Sequence, residues 1–208
     1  MKTMETRGGD TPDSRIIDAA AAAIGEGGIV IIPTDTLYAF ACDALDRRAI
    51  ERLCRIKGLN PAKNTLSILC ADLSQASAFV RIDNSAYRLL RQYLPGPFTF
   101  VLPVAPTLPK AFKERRSVGV RIPSSPIAKA LASALEHPLL VTSVPADDND
   151  TEAAMQEPAL FAERYASDGI ALAIDAGAVP LQPSTVVDLT DASAPAVLRQ
   201  GAGTFQEN

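Results

Sequence analysis

Two hydrophobic periods alternate along the chain. Residues 15–25 read RIIDAAAAAIG, a helical repeat that Asp13 or Ser14 can cap with a side-chain oxygen and that Gly25, Gly27 and Gly28 stop. Its five alanines, Ala19–Ala23, are helix formers small enough to pack closely on a sheet. Ile29-Val30-Ile31-Ile32 follows as a run of β-branched residues, the mark of a strand covered on both faces, and Pro33 ends it. Asp46 can cap a second helix, in which Ile50, Leu53, Cys54 and Lys57 share one side at i, i+3, i+4 and i+7, with Gly58 as its stop. LSILC, FTFVLPV, SVGVRI, LLVTS, IALAID, STVVDL and PAVL read as further strands. Helical patterns recur near 83–94, 125–136 and 158–167. Mixing of this kind predicts one mixed sheet with helices packed on it, an α/β fold.

Length and composition narrow the class. A chain of 208 residues fits one domain with a continuous core, expected over 14–208 behind a mobile tail at 1–13. That tail lacks the apolar stretch of a signal peptide, and no apolar run reaches the roughly 18–20 residues of a membrane span. Cys42, Cys54 and Cys70 have no metal-ligand spacing and are odd in number, which fits a reduced, cytoplasmic setting. His137, the single histidine, has no ligand cluster beside it and belongs in a turn before Pro138, so no metal centre is expected.

The net charge of −4 hides an asymmetry. From Asp46 to Lys129 there are 15 Lys/Arg against 5 Asp/Glu; from Asp147 onward there are 2 against 11. Such blocks are either solvated faces or, for the basic half, a surface that draws in a polyanion such as ATP or RNA. Residues 145–157, PADDNDTEAAMQE, read as an exposed acidic loop or a weak helix start.

Candidate chemistry sits just beyond strand ends, where open α/β sheets place their ligands. Pro33-Thr34-Asp35-Thr36-Leu37-Tyr38 offers two hydroxyls, a carboxylate and a phenol, for a small polar substrate or for a turn that restarts the chain. Lys57, on a helix that also carries Arg47, Arg48, Arg52 and Arg55, either complements the helix dipole or reaches a phosphate. Arg121 ends an apolar strand and must exit to solvent or meet an anion, because a buried unpaired charge is costly. Ser184-Thr185 brings hydroxyls to the start of a strand, and Arg199-Gln200-Gly201 sets an arginine beside a flexible residue.

The ordered succession PTDTLY, RIKGL, TLSIL, LPGPFTFVL, SVGVRIP, PLLVTS, STVVDL and RQG resembles the YrdC/YciO family from about Gly27 to Gly201. CRIKGL and TLSILCADLS are closer to its YciO branch. The resemblance implies a three-layer α/β fold of the YrdC/RibB type, a twisted mixed sheet flanked by helices with a basic concave face. It also implies a threonylcarbamoyl-AMP synthase-like nucleotidyltransferase, which joins L-threonine, bicarbonate and ATP, releases pyrophosphate and serves tRNA modification. By resemblance Thr34, Thr36, Arg121 and Thr185 lie on the threonine side, and Lys57, Ser143 and Arg199 on the nucleotide side. Magnesium would come through the nucleotide phosphates, and no catalytic residue is assigned. The family's Lys-x-Arg reads here Lys57-Gly58-Leu59, and its Ser-x-Asn reads Ser143-Val144-Pro145, so the ATP half is depleted. That depletion leaves a weakened or divergent enzyme as one expectation. The other is a double-stranded RNA or tRNA binder that keeps the fold without this chemistry.

Overall fold

Four consecutive β-branched side chains, all buried, make Ile29–Ile32 (β2) an interior strand, and the rest of the sheet grows outward from it. The computed structural model describes residues 2–6, 12–60, 64–113, 116–145 and 156–206. The strands are Lys2–Glu5 (β1), β2, Ala39–Asp43 (β3), Ser67–Leu69 (β4), Phe98–Pro103 (β5), Ser117–Arg121 (β6), Leu139–Ser143 (β7), Ile170–Asp175 (β8), Thr185–Asp188 (β9) and Ala196–Arg199 (β10). They form one sheet in the order β1-β8-β2-β3-β7-β4-β6-β5-β9-β10, parallel at β1/β8, β8/β2, β4/β6 and β5/β9 and antiparallel elsewhere. The helices are Ser14–Gly25 (α1), Arg47–Lys57 (α2), Leu73–Ser77 (α3), Asn84–Tyr93 (α4), Lys110–Lys113 (α5), Pro126–Ala134 (α6) and Pro158–Arg164 (α7). This is the mixed α/β sheet flanked by helices that the sequence predicts.

Alternation along the strands divides the core into two layers. On one face Val30, Ile32, Ala39, Ala41 and Val141 pack with Ile16, Ala20 and Ile24 of α1 and Ala128 and Leu131 of α6. On the other, Ile29, Ile31, Phe40, Phe100 and Val120 pack with Ile50 and Leu53 of α2, Leu90 of α4 and Phe161 of α7. The caps follow the sequence: the carboxylates of Asp13 and Asp46 accept from the backbone of Arg15 and Arg48, and Gly58 closes α2 at φ 67°.

Three expectations change. Lys2–Glu5 is no tail but an edge strand paired in parallel with Leu172–Asp175, because backbone pairing can recruit a polar segment that a hydrophobic pattern does not reveal. Ala39–Asp43 was not anticipated as a strand; it is held between β2 and β7. The helix expected over 158–167 breaks at Tyr165 and resumes as a 3₁₀ turn, Ala166–Asp168, ended by Gly169 at φ 74°. Most of the acidic segment 145–157 lies outside the described residues. Among the described residues no helix is long and apolar enough to cross a membrane.

Candidate functional site

A row of cross-strand partners locates the site. Val141, covered by the α1/α6 layer, pairs with Ser67, Ser67 with Gly119, and Gly119 with Val101, so all four share one face. Thr99 and Val186 are likewise partners, and Val186 pairs with Arg199. Here the sheet face opens into a cavity of about 260 Å³, lined by Thr36, Ser67, Thr99, Val101, Arg121, Ser143, Ser184, Val186 and Arg199 among others. Gly119 keeps the floor tight: a Cβ there would stand 2.6 Å from Ser67 Oγ and 2.8 Å from Thr99 Cγ2.

Arg121 takes the second of the two courses open to it in sequence: it stays buried and meets an anion, the Asp35 carboxylate of its own chain. It is buried at 9% exposure, and its Nη2 donates to Asp35 Oδ1 at 2.7 Å and to Thr36 Oγ1 at 3.0 Å. Asp35 Oδ2 in turn accepts from Ser124 N at 3.1 Å and Ser124 Oγ at 3.3 Å. Burial pushes the guanidinium pKa down, Asp35 opposes this, and Arg199 adds repulsion. The group nonetheless stays cationic, as arginine does in proteins. Arg121 Nε is buried and has no hydrogen-bond partner among the described residues.

Arg199, at the end of an edge strand, is held by Ser184: Nη2 and Nε donate to its carbonyl at 2.8 and 3.3 Å, and Nη2 reaches Oγ at 3.3 Å. Ser184 Oγ also lies 2.8 Å from Thr99 Oγ1, so the two hydroxyls form a pair in the cavity wall. Lys57 stands behind that wall rather than in it. Its Nζ donates to the Ser143 carbonyl at 2.7 Å, and burial lowers its pKa. Leu59 lines the cavity itself.

Of the residues named from sequence, Thr36, Arg121, Ser143 and Arg199 are brought together in the lining, and the other three are not. Thr34 is an internal brace: its Oγ1 donates to the Leu37 carbonyl at 2.6 Å and accepts from the backbone of Thr36 and Leu37. Thr185, expected on the substrate side, points to the opposite face of β9 and is fully buried. Its hydroxyl donates to the Gly203 carbonyl and accepts from Gly201 N at 2.9 Å, so it anchors the C-terminal loop beside Arg199. The Tyr38 phenol is also spoken for, donating to the Gly177 carbonyl at 2.7 Å and accepting from Ala176 N at 3.1 Å; burial lifts its pKa to about 12.

Thr99 and Ser67 were missed as lining residues, although the polar interruptions of apolar strands there were a signal; of the Ser184-Thr185 hydroxyls noted in the sequence, it is Ser184 that lines the cavity. Among the described residues the cavity is lined by two cations, Arg121 and Arg199, whereas Arg47 and Arg55 of α2 and Arg88 and Arg91 of α4 are exposed on their helices. Among the described residues no group of three or more His, Cys, Asp or Glu is placed to hold a metal ion.

With this geometry in place, three comparisons bear on it. The family model Sua5_yciO_yrdC, described as "Telomere recombination", matches residues 22–201. YciO of Escherichia coli K12, named as an uncharacterized protein, is 37% identical over 93% of both chains. Its crystal structure superposes with a TM-score of 0.84 over 98% of this chain and 96% of that one, at 35% identity. The threonylcarbamoyl-AMP synthase of Pyrococcus abyssi is 32% identical over 92% of this chain but 55% of its own length. The crystal structure of P. abyssi Sua5 complexed with L-threonine superposes at a TM-score of 0.80 over 96% of this chain and 57% of that one, at 30% identity.

Proposed function

Because the chain belongs to the Sua5/YciO/YrdC family, we propose that it is a threonylcarbamoyl-AMP synthase-like enzyme whose amino-acid subsite is kept and whose ATP subsite has diverged. The observation that carries the reading is Arg121. A largely buried guanidinium that lines a cavity rich in hydroxyls, with only its Nη2 engaged, suits a carboxylate ligand. The L-threonine bound to the Pyrococcus relative supports the choice of amino acid.

In this reading the threonine carboxylate meets the Arg121 guanidinium, and Thr36, Thr99 and Ser184 supply hydrogen bonds. The threonine amine attacks the bicarbonate carbon, and hydroxide leaves with a proton as water. A carbamate oxygen then attacks the α-phosphorus of ATP, the bond to the β-phosphate oxygen breaks, and pyrophosphate departs. The protein contributes positioning and fixed charge: Arg199 and the Ser143 hydroxyl line the nucleotide end, backed by Lys57. With no carboxylate cluster in the lining, magnesium would be held through the phosphates.

Leu59 and Pro145 weaken that end. Leucine cannot pair with phosphate, and proline lacks both an amide side chain and a backbone N–H. One lost charge-assisted contact is worth about 1.5–3 kcal/mol, or roughly one to two decades in rate when made in the transition state. This same weakness, with the exposed arginines of α2 and α4, supports the second reading, an RNA-binding protein without the chemistry.

Calorimetry with L-threonine and ATP, separately and together, tests the proposal. Threonine at a hundredfold excess over its Kd adds about 2.7 kcal/mol of stability, and Arg121→Ala removes that gain. No binding at millimolar threonine would sink the amino-acid subsite.

A further inference from the structure

Asp35 does not line the cavity that holds Arg121 but borders a second one beside Ser124, yet it decides how much charge the Arg121 cavity offers. Its side chain is 7% exposed, its Oδ1 takes one Nη2 proton of Arg121 at 2.7 Å, and its Oδ2 is tied to Ser124. Arg121 and Arg199 line the same cavity. Neither can be deprotonated to relieve their repulsion. Arg199 is held by the Ser184 carbonyl and hydroxyl, both uncharged. Asp35 is therefore the one carboxylate that an ion pair among the described residues brings to either guanidinium.

We propose that Asp35 sets the charge selectivity of the Arg121 end of the cavity: by neutralising one of two guanidiniums it fits the site to a ligand with a single carboxylate and against a dianion. Asp35 acts through Arg121 and is a positioning residue, not a catalytic one. Its engagement is one-sided, because only Nη2 is taken while Nε stays buried and unpartnered. A ligand carboxylate in the cavity meets the guanidinium without displacing Asp35 from Nη2. A dianion brings a second negative charge close to the Asp35 carboxylate, which Ser124 prevents from withdrawing. The proposal rests on the amino-acid reading only in using threonine as a probe.

Asp35→Asn keeps the shape and removes the charge. Losing one nearby negative charge benefits a dianion twice as much as a monoanion at the same place, and more again than zwitterionic threonine, whose ammonium loses an attraction. With an effective dielectric constant of about 20 and a separation of about 6 Å, the ratio of sulfate to threonine affinity rises at least tenfold. Ser124→Ala loosens the same loop without changing charge and leaves the ratio where it was, which separates selectivity from mere bracing.

Titrations of threonine, acetate and sulfate against wild type, Asp35→Asn and Ser124→Ala decide the matter. In wild type, acetate displaces threonine at least as well as sulfate does. A ratio that moves less than twofold in Asp35→Asn, or equally in Ser124→Ala, overturns the proposal, as does sulfate outcompeting acetate tenfold in wild type. If Asp35→Asn does not fold, the wild-type comparison alone stands as the test. If threonine binds nowhere, the amino-acid reading falls, and acetate against sulfate by thermal shift still tests Asp35.

Discussion

Breaking the Asp35–Arg121 pair from one side should do more damage than removing it whole. The two charges meet at 2.7 Å with side chains 7% and 11% exposed, so neither is replaced by water when its partner goes. A unit-charge attraction at about 4 Å and an effective dielectric constant of 20 is about 4 kcal/mol, most of it offset by the desolvation of both groups. Arg121→Met keeps the aliphatic stem but strands a buried carboxylate, which costs about 3–5 kcal/mol. For a chain of this length that is roughly 6–20 °C in melting temperature. Asp35→Asn strands the guanidinium but leaves Thr36 Oγ1 on Nη2 at 3.0 Å, so its loss is smaller. The double variant strands nothing and should recover at least about 2 kcal/mol relative to the sum of the singles. Urea denaturation of the four proteins, with fluorescence and circular dichroism transitions required to coincide, measures the cycle. Losses that add within about 0.5 kcal/mol would refute the reasoning, because two sites without coupling behave that way.

Two further outcomes bear on the nucleotide end and the surface. Leu59→Arg with Pro145→Asn should strengthen ATP binding more than threonine binding and raise any pyrophosphate release that requires threonine and bicarbonate; calorimetry and a pyrophosphate assay read both, and a folded double variant with unchanged ATP affinity would place the nucleotide elsewhere. If the exposed arginines serve RNA, duplex RNA or tRNA binds with a steep salt dependence that Arg47→Glu with Arg48→Glu flattens, and no binding at low salt removes that reading.

Local chemistry was legible where it acts locally. Asp46, Gly58 and the Ile50–Leu53–Cys54 stripe specified α2 because cap, stop and apolar face all lie within one segment. The run Ile29–Ile32 announced its own burial in the same way. β3 was not legible, since Ala39-Phe40-Ala41-Cys42-Asp43 has no β-branched residue; its extended form comes from pairing on both sides with β2 and β7. β1 is further out of reach, a polar edge whose partner lies some 170 residues away in sequence. The site divides along the same line. Arg121 was found because a charge ending an apolar strand needs an explanation, but Asp35 as its partner is 86 residues distant. Thr185 was misplaced because Ser184 and Thr185 look equivalent in sequence, and only the pairing of Thr99 with Val186 tells which side of β9 faces the cavity.

On the proposed reading, the arrangement accounts for one end of the site diverging while the other is kept. The amino-acid end is built by the loop from Pro33 to Tyr38, the end of β6 and the Ser124 turn, and its parts depend on one another: Asp35 needs Arg121 for its charge and Ser124 for its second oxygen. Altering any one leaves a buried charge or donor unpaired, so such changes are penalised in folding as well as in function. The nucleotide end is built at the junction of α2 and β7. There Lys57 is tied to the backbone carbonyl of Ser143, a contact indifferent to the side chains at 59 and 145. An arginine at position 59 can become leucine without stranding a partner, because the cavity wall there already includes Leu53, Leu66 and Leu140. Selection for stability therefore guards Arg121 whether or not ATP is used, whereas only selection for the reaction itself would guard the residues replaced by Leu59 and Pro145. The ATP affinity of the wild-type protein therefore separates the two readings: binding favours the synthase-like enzyme, and its absence favours the RNA-binding protein.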